Sequence, residues 1–268
     1  MKYRSIALGG GGTRGGLHIG ALHAVREAKG DLEFPDGIYG ASVGAILGTA
    51  VAFRVDLAAL NEAYNKYFTM SSFLPNPKVD DVLTAVDRKG LFSMQSVEML
   101  IVNVFLELGI DLRGKRIRDA PQTLFIIASN MTTARPTILT GDVPILQALR
   151  CSSCVPGIFE PQVLYGDVYL DAGVHLRCLR QVIPEHTLLI HISGTCGRIT
   201  PESSLADILF ACYSGRATQY FGENVCRIRG VNYSLFGELT QKDRDYLFRE
   251  GYLQTLTFLA KMCAEEGD

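Results

Sequence analysis

The chain has 268 residues, of which 47% are hydrophobic and 20% charged, and its formal net charge is −2. This length and apolar content suffice for one large α/β domain with a substantial core, and they require no second domain. Because the chain is nearly neutral and has no run of lysines and arginines, its charge gives no case for nucleic-acid binding or for a polybasic membrane patch.

The cysteines and the N-terminus predict a reducing compartment. The seven cysteines are an odd number, most of them lie in apolar segments, and the first residues contain no hydrophobic signal stretch. No apolar run approaches the ~20 residues that a membrane span needs. We therefore expect a cytoplasmic protein, either free or peripheral at membranes. Cys151 and Cys154 have the spacing of a metal or redox pair, but without a second pair nearby small-residue packing is favoured.

The first predicted strand, residues 4–8, runs into a glycine-rich loop and then a helix. This arrangement binds anions through free backbone N–H groups, and two chemistries use it. Gly10, Gly12 and Gly15 match a dinucleotide-binding fingerprint, but the next strand does not end in the acidic residue that would hold a ribose. The other chemistry is an oxyanion hole, for which Gly11 and Gly12 are the expected donors. Arg14 either adds positive charge there or is a solvated side chain at the helix start.

The segment Gly40-Ala41-Ser42-Val43-Gly44 has the pattern of a nucleophile elbow. A short strand precedes it and an apolar helix follows. Gly40 and Gly44 lack Cβ atoms, so strand and helix can approach closely while Ser42 projects its hydroxyl from a strained turn. The free N–H groups at the start of the helix favour negative charge at this turn.

Further along the chain, apolar periodicity predicts helices and buried strands. The helix over residues 94–108 is the most apolar, and we interpret it as a core helix in preference to a lid or a lipid-facing surface. The loop around Phe73 and Leu74 is a candidate for membrane contact. Other expected helices cover residues 43–54, 56–68, 79–87, 144–150, 203–220 and 240–263, and expected strands cover 124–128, 136–140, 163–165, 168–170, 188–192 and 226–231.

A serine needs a base before it can attack an ester. The predicted hairpin of residues 163–170 delivers Asp171 at a strand end, and His175, His186 and His191 follow it. The order Ser, Asp, His is that of α/β-hydrolases, although those enzymes usually have several strands before the elbow. A Ser-His-Asp triad and direct activation of Ser42 by a carboxylate are therefore both open.

Three ordered segments, residues 10–20, 40–44 and 171–173, resemble the motifs of the patatin-like phospholipases. Residues 148–161 and 239–259 are also similar to segments of that family, so the resemblance covers most of the chain. It implies a three-layer α/β/α fold with a mainly parallel central sheet, formed by one catalytic domain over residues 1–268 and closed by a helix at about 240–263. The implied activity is that of a lipid acyl hydrolase of the phospholipase A or lysophospholipase type, which needs neither histidine nor calcium.

Carried over by position, the resemblance makes Ser42 the nucleophile, Asp171 the base, and Ala172 and Gly173 the rest of the aspartate motif. The oxyanion hole falls on the loop with Gly10, Gly11, Gly12, Arg14 and Gly15. No cofactor or metal is implied, and the partners are a phospholipid or other acyl lipid and a membrane or micelle surface touched peripherally, with no nucleic acid.

Several expectations follow from these assignments. Because a free aspartate is a weak base, Asp171 should be buried beside Ser42 with a raised pKa, and His18 should be structural. The family often follows its aspartate with an Asn-x-Pro turn, which Val174-His175-Leu176 replaces here. A lipid-binding or regulatory protein without turnover is the alternative function.

Overall fold

An eight-stranded, mainly parallel sheet forms the centre of the protein. The computed structural model describes residues 3–74, 76–176, 178–193, 208, 222, 224–229, 233 and 237–265. The sheet contains β1 (Ser5–Leu8), β2 (Gly37–Ala41), β4 (Leu124–Asn130), β5 (Arg135–Leu139), β7 (Gln162–Leu164), β8 (Asp167–Leu170), β9 (Leu188–Ile192) and β10 (Val225–Ile228), while β3 (Gly90–Phe92) and β6 (Gly157–Phe159) form a separate two-stranded ribbon.

Helices surround this sheet. They are α1 (Gly15–Lys29), α2 (Val43–Ala52), α3 (Leu57–Tyr67), α4 (Met70–Phe73), α5 (Val79–Arg88), α6 (Gln95–Glu107), α7 (Ile145–Ser153) and a closing helix (Gln241–Glu265). Short 3-10 turns occupy Gly12–Arg14, Ile117–Asp119, Ala172–Val174 and Leu179–Gln181. No helix in these described ranges is long and apolar enough to cross a membrane.

The strand order is β10-β9-β1-β2-β4-β8-β7, and the first five of these strands are parallel. β5 and β8 are both antiparallel to β4. At Ser129 and Asn130, β4 pairs with β5 on one edge and with β8 on the other. Earlier along β4, that second edge pairs with β2. The carboxyl ends of β2 and β8 therefore point at each other along the same edge of β4.

The two faces of the sheet are covered differently. Strand residues such as Ile6, Leu8 and Ile38 pack into a large core with the helices. Ala7, Tyr39 and Leu189 lie on the other face in a smaller cluster with residues of the 172–183 segment. Because both faces are buried, the parallel strands have continuous apolar runs. The predicted α/β class with a mainly parallel central sheet and flanking helices is confirmed.

The closing helix crosses α1 where both helices have a glycine. A Cβ at Gly20 would lie 2.0 Å from the carbonyl oxygen of Phe248, and one at Gly251 would lie 2.0 Å from that of Leu17. Only glycine allows the two backbones to come this close. The end of the described chain is thereby fixed against the helix that follows the glycine-rich loop.

Most predicted elements in the described residues are present. The predicted core helix of residues 94–108 does bury one face. However, Phe73 is buried against Phe68 and Phe159 instead of being exposed in a loop, so the proposed membrane contact at this residue was wrong. The β3–β6 ribbon was not predicted, because strands this short carry no periodicity. The predicted helix of residues 203–220 lies almost wholly outside the described residues, as does the end of the strand predicted over 226–231.

Replacing Gly20 with alanine tests the helix crossing. The new Cβ would meet backbone at 2.0 Å, and overpacking costs about 1–3 kcal/mol or more against a helix-propensity gain of about 1 kcal/mol. We expect the free energy of unfolding of Gly20→Ala to fall by roughly 2 kcal/mol, measured as a lower urea midpoint at unchanged slope.

Gly48→Ala is the matched control, because Gly48 is also inside a helix. Its added Cβ would come closest to the Ile38 side chain, at 3.3 Å, and no closer than 3.9 Å to the backbone of other elements. This mild crowding offsets the helix-propensity gain, so we expect its stability to stay within about 0.5 kcal/mol of the wild-type value. Equal stability of the two variants would contradict the close crossing.

Candidate active site

Ser42 lies at the sharp turn between β2 and α2. Its φ of 54° and ψ of −130° are a strained conformation for a residue with a side chain. The turn fits because a Cβ at Gly40 would lie 2.5 Å from Ala45 Cα, and one at Gly44 would lie 2.2 Å from the carbonyl oxygen of Leu8. Gly40 and Gly44 are thus required by the close approach of β1, β2 and α2, and this geometry is that of a nucleophile elbow.

A second serine fixes the elbow from α7. Ser152 Oγ accepts a hydrogen bond of 2.8 Å from the Ser42 N–H and donates one of 2.6 Å to the carbonyl of Ile127 in β4. Ser152 is fully buried. It therefore connects the strained residue to the central strand and satisfies an N–H at the start of α2. Sequence reasoning missed this residue, since a hydroxyl in a helix does not reveal its tertiary partner.

The glycine loop, residues 9–14, lies directly beside Ser42. A Cβ at Gly10 would lie 3.5 Å from Ser42 Cβ, and one at Gly11 would lie 2.7 Å from the Ile192 side chain. Gly12 has a φ of +57°, which favours glycine. Within the described part of the chain, the N–H groups of Gly10, Gly11 and Gly12 donate no hydrogen bond. These donors are therefore available beside the serine.

Buried side chains support the glycine loop from below. Arg14 is only 2% exposed, and its Nε donates to the carbonyl of Gly11 at 3.2 Å, so the solvated alternative for Arg14 was wrong. His18 Nε2 lies 2.7 Å from the Gly9 carbonyl oxygen, and burial lowers the pKa of His18 to about 4. Its structural placement is as expected. At Gly15 the missing side chain leaves space for Tyr64, whose hydroxyl donates to the Thr13 carbonyl.

Asp171 follows β8 and is 4% exposed. Its Oδ1 accepts a hydrogen bond of 2.8 Å from the Gly173 N–H, while its backbone N–H donates to the Cys154 carbonyl. Burial raises the pKa of Asp171 from 3.8 to about 6, and the Gly173 N–H and the Ser42 hydroxyl oppose this rise only in part. Ala172 is also buried and begins the 3-10 turn that carries Gly173. The expected burial and raised pKa of Asp171 are confirmed.

The second carboxylate oxygen of Asp171 differs from the first in its hydrogen bonding. Oδ2 is buried and has no hydrogen-bond partner within 3.5 Å among the described residues. The Ser42 hydroxyl is nonetheless near enough to lower the pKa of Asp171. A contact longer than a formed hydrogen bond is common in a site without substrate, and it shortens when the site is occupied. The structure thus brings Ser42 and Asp171 together.

None of the three candidate histidines hydrogen-bonds to Asp171 in the described residues. His186 is exposed near Asp36, at the opposite end of the parallel strands. The N–H of His175 donates to Ser129 Oγ, whereas its buried Nδ1 has no hydrogen-bond partner in the described chain. His191 lies beside Gly9, and burial lowers its pKa to about 4. The site geometry therefore does not form a Ser-His-Asp triad.

The segment after Asp171 makes a different wall from the expected Asn-x-Pro turn. Ser129 Oγ donates to the Ala172 carbonyl at 3.3 Å and accepts the His175 N–H at 3.1 Å. Ser129 is fully buried in β4. One hydroxyl therefore binds both ends of the 3-10 turn, a role that the sequence did not suggest.

In the described ranges, no cluster of three or more histidine, cysteine or acidic side chains could bind a metal ion. Cys151 and Cys154 are free and buried, and burial raises the pKa of both thiols. Cys154 Sγ donates to the Tyr169 carbonyl at 3.3 Å. This pair is packing material, as the spacing argument favoured.

The adjacent serines of α7 give a matched test of the support for the elbow. Ser152→Ala removes two buried hydrogen bonds and leaves the Ser42 N–H unsatisfied, which costs about 1–3 kcal/mol. Ser153 is also buried, but its Oγ has no hydrogen-bond partner in the described chain. We expect urea unfolding to show a loss of roughly 2 kcal/mol for Ser152→Ala and less than about 0.5 kcal/mol for Ser153→Ala. Equal losses would argue against the Ser152 bridge.

Comparison with known proteins places this geometry in a family. A family model described as Patatin-like phospholipase matches residues 6–182. An uncharacterized NTE family protein of Mycobacterium tuberculosis is 27% identical over 172 residues, which are 63% of this chain and 42% of that protein. A probable lipid hydrolase of Invertebrate iridescent virus 6 is 26% identical over 196 residues, covering 64% and 60% of the two chains. The match thus spans about two-fifths of the mycobacterial relative.

Two solved structures share the fold at low identity. VipD from Legionella pneumophila superposes with a TM-score of 0.59 at 13% identity, over 97% of this chain and 67% of that one. ExoU, in its complex with SpcU from Pseudomonas aeruginosa, gives a TM-score of 0.55 at 17% identity, over 96% and 51%. At these identities the likeness shows the fold alone.

Proposed function

Because this chain belongs to the patatin-like phospholipase family, we propose that it is a lipid acyl hydrolase that uses Ser42 as nucleophile and Asp171 as base. The observation that carries this proposal is the buried Asp171, with a pKa of about 6, next to the strained Ser42. A free aspartate has a pKa of about 3.9 and is a poor base, whereas this carboxylate binds a proton about a hundredfold more tightly. It is still largely ionised at pH 7 and can take the serine proton.

Acylation begins when Ser42 Oγ attacks the carbonyl carbon of an acyl ester and Asp171 Oδ2 accepts the hydroxyl proton. The carbonyl oxygen becomes an oxyanion, which the N–H groups of Gly10, Gly11 and Gly12 can bind. Each such donor is typically worth about 2.7–4 kcal/mol of transition-state stabilisation. The buried Arg14 holds the Gly11 carbonyl and so keeps the peptide of the loop in this orientation. Collapse of the intermediate expels the alcohol, which takes the proton from Asp171.

Deacylation repeats these steps with water. Asp171 accepts a proton from the water molecule that attacks the acyl-Ser42 carbonyl, and the second oxyanion binds to the same glycine N–H groups. When this intermediate collapses, the proton on Asp171 returns to Ser42 Oγ and the fatty acid leaves. These steps need no histidine and no metal ion. The family to which the chain belongs supports acyl esters of phospholipids or related lipids as the substrate class.

Fatty-acid release from mixed phospholipid micelles, with a chelator present, tests this assignment. We expect Ser42→Ala and Asp171→Asn to lower kcat/KM by at least about a thousandfold, because a nucleophile and its base act as one unit. His175→Gln and His186→Gln are matched controls that should stay within about threefold of wild type. Loss of turnover in a folded histidine variant would favour a triad, and no release by the wild-type chain from micelles or from a short soluble ester would favour the non-catalytic alternative.

The pH dependence gives a second test of the base. Asp171 must be ionised to accept the proton, so kcat/KM should fall about tenfold per pH unit below its pKa of about 6 and be flat above it. The profile should be measured with an uncharged soluble ester at several temperatures. The apparent pKa of a carboxyl group hardly changes with temperature, whereas that of an imidazole falls on warming. A midpoint that falls steeply on warming would contradict the role of Asp171.

A further inference from the structure

The helix α5, Val79–Arg88, has an apolar face that points away from the protein. Val79, Val82, Leu83 and Val86 are spaced so that they share one side of the helix, and they are 75%, 58%, 71% and 86% exposed. No residue of this helix is buried. Scattered exposed apolar residues are ordinary, but four on one helical face mark an interaction surface.

The polar side chains of α5 bond within the helix and to β3. Arg88 donates to the carbonyl of Leu91 at 2.8 Å and to Thr84 Oγ1 at 2.7 Å, and it forms an ion pair with Asp81. The side chains of Arg88 and Asp81 are only 24% and 26% exposed. The apolar side chains thus face solvent while Asp81 and Arg88 are partly covered, which reverses the usual arrangement of an amphipathic helix at a protein surface.

The connections of α5 link it to the elements around Ser42. α5 leads directly into β3, which pairs with β6, and Glu160 after β6 donates its N–H to the Phe92 carbonyl. β6 in turn follows the end of α7, where Ser152 binds the Ser42 N–H. The hairpin of β7 and β8, with the exposed Val163 and Tyr165, extends beyond the carboxyl end of β4.

We infer that the apolar face of α5 is the surface by which this protein docks on a lipid interface of zwitterionic head groups, an inference that rests on the proposed lipid hydrolysis. A lipid hydrolase must meet its substrate where acyl chains are packed together. A helix that exposes an apolar stripe can lie in the plane of such an interface with the stripe below the head groups.

The size of the face argues against a second copy of this chain as its occupant. The helix has 10 residues and is about 15 Å long. Burying one valine or leucine side chain contributes about 1.5–3 kcal/mol, which at about 25 cal/mol per Å² corresponds to about 60–120 Å² of apolar surface. Four such side chains on each of two copies would therefore bury roughly 500–1,000 Å². Stable protein interfaces bury about 1,200 Å² or more. A lipid surface needs no such complementary area.

The charges around the face indicate the type of head group. Four charged side chains are exposed along the helix or at its ends, and their charges sum to zero: Lys78, Asp80, Asp87 and Lys89. The Asp81–Arg88 ion pair is also neutral. A surface without net charge has no electrostatic preference for anionic lipids, so salt should not weaken its binding.

The test compares the wild-type chain with Val82→Gln/Leu83→Gln/Val86→Gln in co-sedimentation with phosphatidylcholine vesicles. Glutamine is a good helix former, so exposed positions of α5 can accept it without loss of the helix. We expect vesicle binding and hydrolysis of vesicle lipid to fall at least tenfold, with turnover of a short soluble ester within about twofold of wild type. Binding should be the same in about 50 mM and 500 mM salt and with anionic lipid added.

Met99→Gln/Leu106→Gln on α6 is the matched control, because these apolar side chains are also exposed. It should bind vesicles as the wild type does. Unchanged binding of the α5 variant, an equal loss in the α6 variant, or binding that appears only with anionic lipid and disappears in high salt would overturn the inference. So would a wild-type dimer in solution that the α5 substitutions dissociate.

The inference and the proposed function can fail separately. Ser42→Ala should bind vesicles normally while releasing no fatty acid. If the wild-type chain hydrolyses no ester but binds vesicles through α5, the docking surface stands and the proposed function does not. If it hydrolyses soluble and vesicle lipid equally well with α5 altered, the proposed function stands and the docking surface does not.

Discussion

The candidate site depends on one edge of β4. β2 runs along this edge in the parallel direction and ends at Ala41, and β8 runs along it in the opposite direction and ends at Leu170. Two strands that meet end to end on the same edge deliver their next residues, Ser42 and Asp171, to one place. Ser152 holds β4 and the Ser42 N–H with a single hydroxyl, so the same strand also fixes the elbow. Two residues that are distant in sequence thus become neighbours through backbone pairing.

This arrangement is kept at a cost in stability. Ser42 occupies a conformation that costs on the order of 1–3 kcal/mol. For Asp171, a folded-state pKa of about 6 against an unfolded value near 3.8 means that the folded chain binds the proton more tightly. The contribution of Asp171 to the free energy of unfolding is therefore greatest below the unfolded pKa, falls as pH rises, and is lost above about pH 6. At about 1.36 kcal/mol per pKa unit, the total change is roughly 3 kcal/mol. The large core on one face of the sheet must offset both the backbone strain at Ser42 and the cost of burying the Asp171 carboxylate.

The sequence predicts those parts of the fold whose signal is local. Continuous apolar runs identify the parallel strands, and Gly40 and Gly44 identify the elbow because their missing Cβ atoms are required by backbone contacts. The pairing of Ser42 with Asp171 came from the resemblance of ordered motifs, since periodicity does not show which strand ends meet. Ser152, Ser129 and the burial of Arg14 could not be predicted, because each depends on a tertiary contact of a polar side chain.

The helix α5 shows where a pattern can predict an element but not its orientation. Spacing of apolar residues predicts a helix over residues 79–87, and it normally implies that the apolar face lies inward. Here Arg88 donates to Thr84 within the helix and to the Leu91 carbonyl of β3, while the apolar side chains are exposed. If the chain is the lipid hydrolase proposed above, the outward apolar helix holds the lipid interface and the buried carboxylate activates the serine, so both act on the same substrate.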